Sequence, residues 1–274
     1  MKKFIYKYEA MTTPCELIIY AKEKAIADDS AMAVLNETKR LEKKYNYFKD
    51  DSLISSINSR QTNIIDTETK SILQRAKLYY KETDTTFDIT IATIKDLYKN
   101  EKDLCVLKAK KTELLEYVGC EHFALKKDKI VFDNPYTKID LGGFVKEYAV
   151  DRAVLVLKKH KINAALINYG GDIYALGKKP DGSKFKIGIK NPKDKTQYAK
   201  EVELENQALT TSASYERNYT IEGETFSHII SKEEIKSHTS SVTVISNNCV
   251  ESGVYSTSIM INKNLKTTNK LILL

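Results

Sequence analysis

The first half of the chain shows mainly the spacing of amphipathic helices. From Ser30, a suitable N-cap, to Tyr45, apolar residues recur about every 3.6 residues, which predicts a helix with one buried face. The same period predicts a second helix over 67–81 and a short third helix over 111–117. The apolar run at 15–20 predicts a strand.

The second half of the chain reads mostly as short strands. A Gly-rich turn after Asp140 precedes a predicted helix over 144–160, and a last helix over 251–260 precedes a terminal strand. The strands predicted between these helices are 164–168, 173–176, 185–189, 208–211, 217–221, 226–230 and 241–245. Early helices, late strands and short connections predict a single α+β domain over residues 1–274, with a mainly antiparallel sheet.

The composition is that of a Lys-rich globular protein. Lys and Arg number 44 against 37 Asp and Glu, a formal net charge of +7. The lysines are spread along the whole chain and do not interleave with aromatic residues, so a solvated basic surface is favoured over a nucleic-acid groove. Part of the charge would still favour an anionic ligand. We therefore expect no nucleic-acid partner.

Two further features bear on the compartment. No apolar run reaches the roughly 18 residues of a membrane span, and the basic N-terminus lacks the apolar stretch of a signal peptide. The four cysteines are scattered without a CxxC pair, and Cys120 with His122 has no second pair to complete a metal site. The sequence therefore predicts a cytoplasmic protein with reduced thiols and no membrane span.

The segment 138–151 carries the first candidate chemistry. A predicted strand ends at Asp140, two glycines permit a tight turn, and a helix follows. Free N–H groups and the positive end of the helix would face this turn, which suits a phosphate. Lys146 lies about one turn into the helix and can reach the same anion. A plain tight turn with a surface lysine is the alternative.

Two later segments are also candidates. An apolar strand runs into Gly-Gly-Asp at 170–172, where a ligand or another chain segment could approach closely, although an ordinary β-turn would explain it. Small hydroxyl residues at 210–214 suit contact with a polar ligand. His228 has a pKa range suited to a base, but two isoleucines follow it, and a core histidine is the alternative.

Together these segments resemble the ApbE flavin transferases over nearly the whole chain. Nine short blocks follow the family's order. The first five are 11–13 for Met-Gly-Thr, 48–58 for an aromatic with Asp-Ser and Asn, 87–90 for Phe-Asp-Pro-Thr, 140–151 for Asp-Leu-Gly-Gly-x-x-Lys-Gly-Tyr-Ala-x-Asp, and 168–172 for Asn-x-Gly-Gly-Asp. The last four are 211–217 for Thr-Ser-Gly-x-Tyr-x-Arg, 228–231 for His-Ile-Ile-Asp, 241–244 for Ser-Val-Thr-Val, and 252–257 for Ala-Asp-Ala-Leu-Ser-Thr.

The resemblance implies an ApbE-like, T-fold-related α+β domain with an FAD site between the sheet and the Gly-rich turn. In the family a divalent ion, usually Mg²⁺, bridges the diphosphate to the protein. Its implied ligands are the carbonyl of Gly143, an Asp at the position of Gly253, and Thr257. The residues implied to contact FAD are Met11, Phe48, Thr86, Phe87, Asp88, Asp140, Lys146 and Ile230, with Asn58 as a further candidate.

The implied reaction transfers FMN from FAD to a threonine or serine hydroxyl of an acceptor flavoprotein, with AMP leaving. Such a transfer needs a base for the hydroxyl and charge neutralisation at the diphosphate. We expect His228 to be the base, and Lys146 with the helix N-terminus to hold the phosphates.

The departures from the family pattern concern the metal above all. Gly253 replaces the ligand Asp, Ser231 replaces another Asp, and Glu147 replaces a Gly. Glu251 is one hypothetical substitute carboxylate, although it would point about 200° away on a helix. Three functions therefore remain open: a transferase with an altered metal site, an FAD-binding relative that transfers weakly or not at all, and an FAD pyrophosphatase.

Overall fold

The computed structural model describes residues 1–194, 196–213, 218–227, 229–232 and 240–274. The helices within them are α1 (Lys24–Tyr45), α2 (Leu53–Asn58), α3 (Thr67–Glu82), α4 (Ala92–Asn100), α5 (Leu104–Leu114), α6 (Val145–Lys159) and α7 (Cys249–Ile261). The strands are β1 (Lys2–Ala10), β2 (Thr13–Ala21), β3 (Phe123–Lys126), β4 (Lys129–Phe132), β5 (Ala165–Tyr169), β6 (Asp172–Leu176), β7 (Phe185–Lys190), β8 (Tyr198–Leu204), β9 (Gln207–Ala213), β10 (Asn218–Ile221), β11 (Glu224–Ser227), β12 (Ser241–Ser246) and β13 (Lys270–Leu273).

A seven-stranded antiparallel sheet organises the fold, in the order β1-β2-β5-β6-β9-β12-β13. Side chains alternate between its two faces. Tyr174 and Ala208, paired across β6 and β9, face the core formed with α1, α6 and α7. Their neighbours Ile173 and Leu209 face the β7–β8 hairpin on the opposite side. The predicted α+β class with a mainly antiparallel sheet is confirmed.

The predicted start of the first helix is wrong. The helix begins at Lys24, after Glu23, whose side chain makes no capping hydrogen bond. Ser30 lies buried inside α1, and its hydroxyl donates to the carbonyl of Ile26 at 2.7 Å. Buried Ala27 extends the apolar face toward the N-terminus, so core packing outweighs the local preference for a serine cap.

The predicted third helix is also shifted. The segment expected to be helical, 111–117, is the end of α5 followed by a 3₁₀ turn at Leu115–Tyr117.

All four cysteines are free. Each helix in the described part of the chain is too short or too polar to serve as a membrane span.

Candidate functional site

Two tight hairpin turns lie side by side at one edge of the sheet. Met11 and Thr12 connect β1 to β2 with φ of 52° and 57°, and Gly170 and Gly171 connect β5 to β6 with φ of 62° and 103°. Positive φ at both central residues is typical of two-residue hairpins that match the strand twist. A Cβ on Gly170 would lie 2.0 Å from Thr13 Oγ1, so only glycine permits this close approach. The paired turns form one wall of a cleft.

The Gly-rich turn before α6 forms another part of this cleft. Asp140 Oδ1 accepts a hydrogen bond from the Gly142 N–H at 2.8 Å, and Asp140 also forms an ion pair with Lys95. This hydrogen bond fixes the turn whose N–H groups precede α6. The tight turn and the helix N-terminus form as expected, but the predicted strand before them is wrong. Within the described residues no strand lies between β4 and α6, and the chain before the turn is held instead by side-chain contacts.

Asn58 supports this turn from behind instead of facing the cleft. Its amide accepts from the Ile139 N–H and donates to the Ile139 carbonyl, both at 2.8 Å. Both ends of the amide are thereby occupied, and Asn58 does not line the cleft. The expectation that Asn58 contacts the ligand therefore does not match its position, which is that of a backbone support for Asp140.

The cleft has a volume of about 820 Å³. Apart from Asn58, every site residue expected from the sequence that the structure describes lines this cleft. These residues are Met11, Phe48, Thr86, Phe87, Asp88, Asp140, Gly143, Lys146, Ile230 and Thr257. His228, the expected base, lies outside the described residues.

Asp88 is an almost buried carboxylate in this wall. It caps the 3₁₀ turn Ile89–Ile91, because its Oδ1 accepts from the Thr90 N–H at 2.8 Å and from the Thr90 hydroxyl at 2.5 Å. Its Oδ2 lies 3.8 Å from Lys232 Nζ. Burial raises the pKa of Asp88 above its ordinary value. One oxygen is thus committed to the backbone, and the other faces a cation at the cleft.

Lys146 is held in place by Asp172. Lys146 Nζ lies 2.5 Å from Asp172 Oδ2, and the side chain of Asp172 is only 4% exposed. Burial alone would lower the pKa of Lys146, but the adjacent carboxylates of Asp172 and Glu147 raise it. The ammonium group therefore stays charged in the cleft wall, in the first turn of α6, where an anionic ligand would meet it.

Glu147 is a site residue that the sequence did not assign. It is 6% exposed, lines the cleft, and its Oε2 has no hydrogen-bond partner among the described residues. Burial raises the pKa of Glu147, and neighbouring Asp172 acts in the same direction. A Cβ on Gly253 would lie 2.6 Å from Glu147 Cγ, so Glu147 occupies space that opens because residue 253 is glycine. The two departures from the family pattern, at 147 and at 253, are direct neighbours.

Hydroxyl groups join α7 to the sheet next to this carboxylate. Ser212 Oγ on β9 lies 2.9 Å from Ser256 Oγ and 3.1 Å from Thr257 Oγ1. The N-terminus of α7 is held by Asp151, whose carboxylate accepts from the Cys249 N–H at 2.7 Å. These contacts fix Thr257 at the cleft wall.

The hypothesis that Glu251 substitutes for the missing Asp is wrong. Its carboxylate accepts hydrogen bonds from the side-chain amides of Asn248 at 3.1 Å and Asn269 at 3.0 Å, and Glu251 does not line the cleft. As the helical geometry indicates, this side chain points away from the face of α7 that carries Gly253.

Phe48 provides an aromatic surface at the mouth of the cleft. Its side chain is 62% exposed, and the Nζ atoms of Lys95 and Lys99 each lie 5.1 Å from its ring centroid. An exposed aromatic flanked by cations can stack against a planar ring next to an anionic group. The cleft therefore combines a flat apolar surface, a fixed lysine and buried carboxylates.

Comparisons with known proteins show which family and which fold the chain resembles. The chain is 24% identical to an FAD:protein FMN transferase of Klebsiella pneumoniae over 92% of its length and 81% of that protein, and 24% identical to one of Vibrio cholerae over 89% and 77%. The fold matches that of the ApbE protein of Thermotoga maritima with a TM-score of 0.88 and 23% identity, over 99% of this chain and 94% of the other. It matches the flavin transferase ApbE of Vibrio cholerae with a TM-score of 0.83 and 20% identity, over 95% and 87%. The sequence model of the ApbE family matches residues 11–271, and the chain therefore belongs to the ApbE family.

Proposed function

We propose that this protein is an FAD:protein FMN transferase, which passes the FMN half of FAD to a threonine or serine hydroxyl of an acceptor flavoprotein. The observation that carries the proposal is the convergence of the expected FAD contacts in one cleft of about 820 Å³. That volume lies within the range of ligand pockets, and the cleft is lined by both aromatic and charged groups. The names of the curated relatives support the same activity.

In this proposal the acceptor oxygen forms a bond to the FMN-side phosphorus while the bond from that phosphorus to the bridging oxygen of AMP breaks. The proton of the acceptor hydroxyl passes to a base, for which His228 is the candidate from the family pattern. Lys146 and the N–H groups at the start of α6 hold the diphosphate and offset its charge. Phe48 offers a stacking surface for a flavin or adenine ring.

The residues present fit the Mg²⁺ ion that the family implies. No group of three or more His, Cys, Asp and Glu side chains gathers as a metal site within the described ranges. Mg²⁺ nevertheless binds commonly through one or two carboxylates together with substrate phosphates. The Gly143 carbonyl and the Thr257 hydroxyl would hold it. The cleft also offers buried carboxylate oxygens without a hydrogen-bond partner among the described residues, at Asp88 and Glu147. When bound, the ion would share the negative charge that develops as the phosphoanhydride breaks.

The test is incubation with FAD, Mg²⁺ and a purified flavoprotein domain that accepts FMN on a threonine. We expect the mass of the acceptor to increase by one FMN and AMP to appear in equal amount. An acceptor whose threonine is replaced by valine is the control. AMP without an acceptor mass shift would indicate hydrolysis instead. FAD binding with neither product would leave an FAD-binding protein and refute the transferase.

A further inference from the structure

The side chain of Glu147 fills the space beside Gly253 that a side chain at position 253 would need. A Cβ on Gly253 would lie 2.6 Å from Glu147 Cγ and 3.0 Å from Glu147 Oε1, distances shorter than normal carbon contacts. An aspartate at 253 and a glutamate at 147 therefore cannot coexist without displacement of one of them. The chain carries a carboxylate on α6 where the family carries one on α7.

We propose that the carboxylate of Glu147 supplies, from α6, the anionic ligand for a divalent cation that Gly253 cannot supply from α7. This inference rests on the proposed function, in which a cation binds next to the diphosphate of FAD. Both the glutamate at 147 and the glycine at 253 depart from the family pattern.

The Glu147 side chain packs against the face of α7 that borders the cleft. Glu147 packs on Gly253, and Thr257 follows four residues later, on the same face of α7. Glu147 and Thr257 both line the cleft, as does Gly143 in the turn before α6. Glu147 thus shares the cleft with the two other residues that the family pattern assigns to the cation.

The buried carboxylates of the cleft differ in the partners that they have. Asp172 is paired with Lys146 at 2.5 Å, and Asp151 accepts from the backbone of α7. Asp88 Oδ2, Asp172 Oδ2 and Glu147 Oε2 are all buried without a hydrogen-bond donor among the described residues. Asp88 Oδ2 lies 3.8 Å from Lys232 Nζ and Asp172 Oδ2 is paired with Lys146, whereas Glu147 has no ion-pair partner in the described part of the chain. A buried carboxylate oxygen that accepts no hydrogen bond is costly unless a cation or donor satisfies it. A hard divalent cation prefers oxygen ligands of this kind.

The experiment measures metal binding directly, apart from catalysis. The protein is saturated with FAD and titrated with Mn²⁺, which also prefers carboxylate oxygens. Free Mn²⁺ is counted by its electron paramagnetic resonance signal. FAD affinity without metal is measured in parallel from flavin fluorescence. We expect Glu147→Gln, which preserves shape, to weaken Mn²⁺ binding at least about tenfold, the lower end of what loss of even an outer-shell partner costs. Glu251→Gln, on α7 but outside the cleft, is the matched control and should bind Mn²⁺ normally.

An exchange variant extends the test. Glu147→Gly alone should lose Mn²⁺ affinity, and adding Gly253→Asp should restore it, because the carboxylate then comes from α7. Thermal unfolding shows that each variant is folded before it is titrated. If the exchange variant folds but does not regain Mn²⁺ affinity, the two positions are not equivalent and the assignment is overturned.

The outcomes separate the two proposals. If Glu147→Gln binds FAD and Mn²⁺ as tightly as the unaltered protein, the carboxyl group only fills space, and the assignment of Glu147 fails while the proposed function stands. If the unaltered protein does not bind FAD at all, the proposed function fails.

Discussion

Lys146 Nζ and Asp172 Oδ2 lie 2.5 Å apart, and this ion pair connects the first turn of α6 to the first residue of β6. The pair joins two segments that the sequence singled out separately, the Gly-rich turn and the Gly-Gly-Asp hairpin. It places one cation at the junction of both turns, where a diphosphate would meet it. Its disruption should therefore affect stability and ligand binding in separable ways.

Lys146→Met should lower the free energy of unfolding by about 3 kcal/mol, because Asp172 remains buried without its partner. FAD affinity should fall by about tenfold or more, the value of a lost charged hydrogen bond. Urea unfolding and fluorescence titration measure the two effects. Adding Asp172→Asn should restore stability but not FAD affinity, and Lys158→Met, an exposed site on the same helix, should change neither. Recovery of FAD affinity in the double variant would contradict a direct role for Lys146.

The effect of Gly253→Ala on the free energy of unfolding should depend on the residue at position 147 and should reverse in sign when Glu147 is removed. With Glu147 present, the new Cβ overpacks the contact and should cost about 1–3 kcal/mol of unfolding free energy. With Glu147→Ala the space is open, and the same change should stabilise α7 by about 1 kcal/mol through helix propensity. Urea unfolding of the four proteins measures both values. Stabilisation in both backgrounds would show that Glu147 moves away freely.

Phe48→Ala should weaken FAD binding with little effect on stability, because the ring is 62% exposed at the mouth of the cleft. Loss of one stacking contact is worth about 1–3 kcal/mol, which corresponds to a clear rise in the dissociation constant. Flavin fluorescence gives the affinity and thermal melting gives the stability. Tyr198→Ala removes an aromatic that is 71% exposed on β8, outside the cleft lining, and should leave FAD binding unchanged. If Phe48→Ala and Tyr198→Ala bind FAD with equal affinity, Phe48 does not contact the ligand.

Thr12→Gly should stabilise the protein. Thr12 is β-branched and holds a φ of 57°, a left-handed conformation that costs about 1–2 kcal/mol for a residue with a Cβ. Glycine relieves that strain but gains freedom in the unfolded chain, so the net increase in unfolding free energy should be about 0.5–1 kcal/mol. The neighbouring change Thr13→Gly lies at the start of β2 and should instead destabilise the protein. Urea unfolding distinguishes the two, and a loss of stability in Thr12→Gly would contradict the argument.

At low pH, the ion cluster around Glu68 should no longer stabilise the fold. The guanidinium of Arg40, at 2.6 Å, and the ammonium of Lys44, at 2.8 Å, lower the pKa of Glu68 to about 2 from 4.5. Because the folded-state pKa lies below the unfolded value, the cluster stabilises the fold above about pH 4.5, and this contribution disappears as the pH falls toward 2. Glu68→Gln should therefore lower the melting temperature at pH 7 and match the unaltered protein near pH 2. Thermal melts over this range test it, with Glu203→Gln, an exposed site on β8, as control. A gap that persists at pH 2 would contradict it.

Local pattern was sufficient for elements that bury a regular face. The helix predicted over 144–160 is α6, Val145–Lys159, and the strand predicted over 173–176 is β6, Asp172–Leu176. β8 escaped prediction because its residues are mostly exposed, and it forms only by pairing with β7. Its existence depends on a partner that the local sequence does not reveal.

The candidate site was likewise predictable only in part from the sequence. Motif order alone identified the cleft residues from Met11 to Thr257, because a family pattern records residue types at given positions. It also revealed that Gly253 lacks a carboxylate, but not that Glu147 fills the vacated space. That contact exists only because α6 and α7 pack together over the sheet, and such packing depends on strand order and on residues distant in the chain. Residue chemistry is encoded position by position, whereas proximity is a property of the whole folded chain.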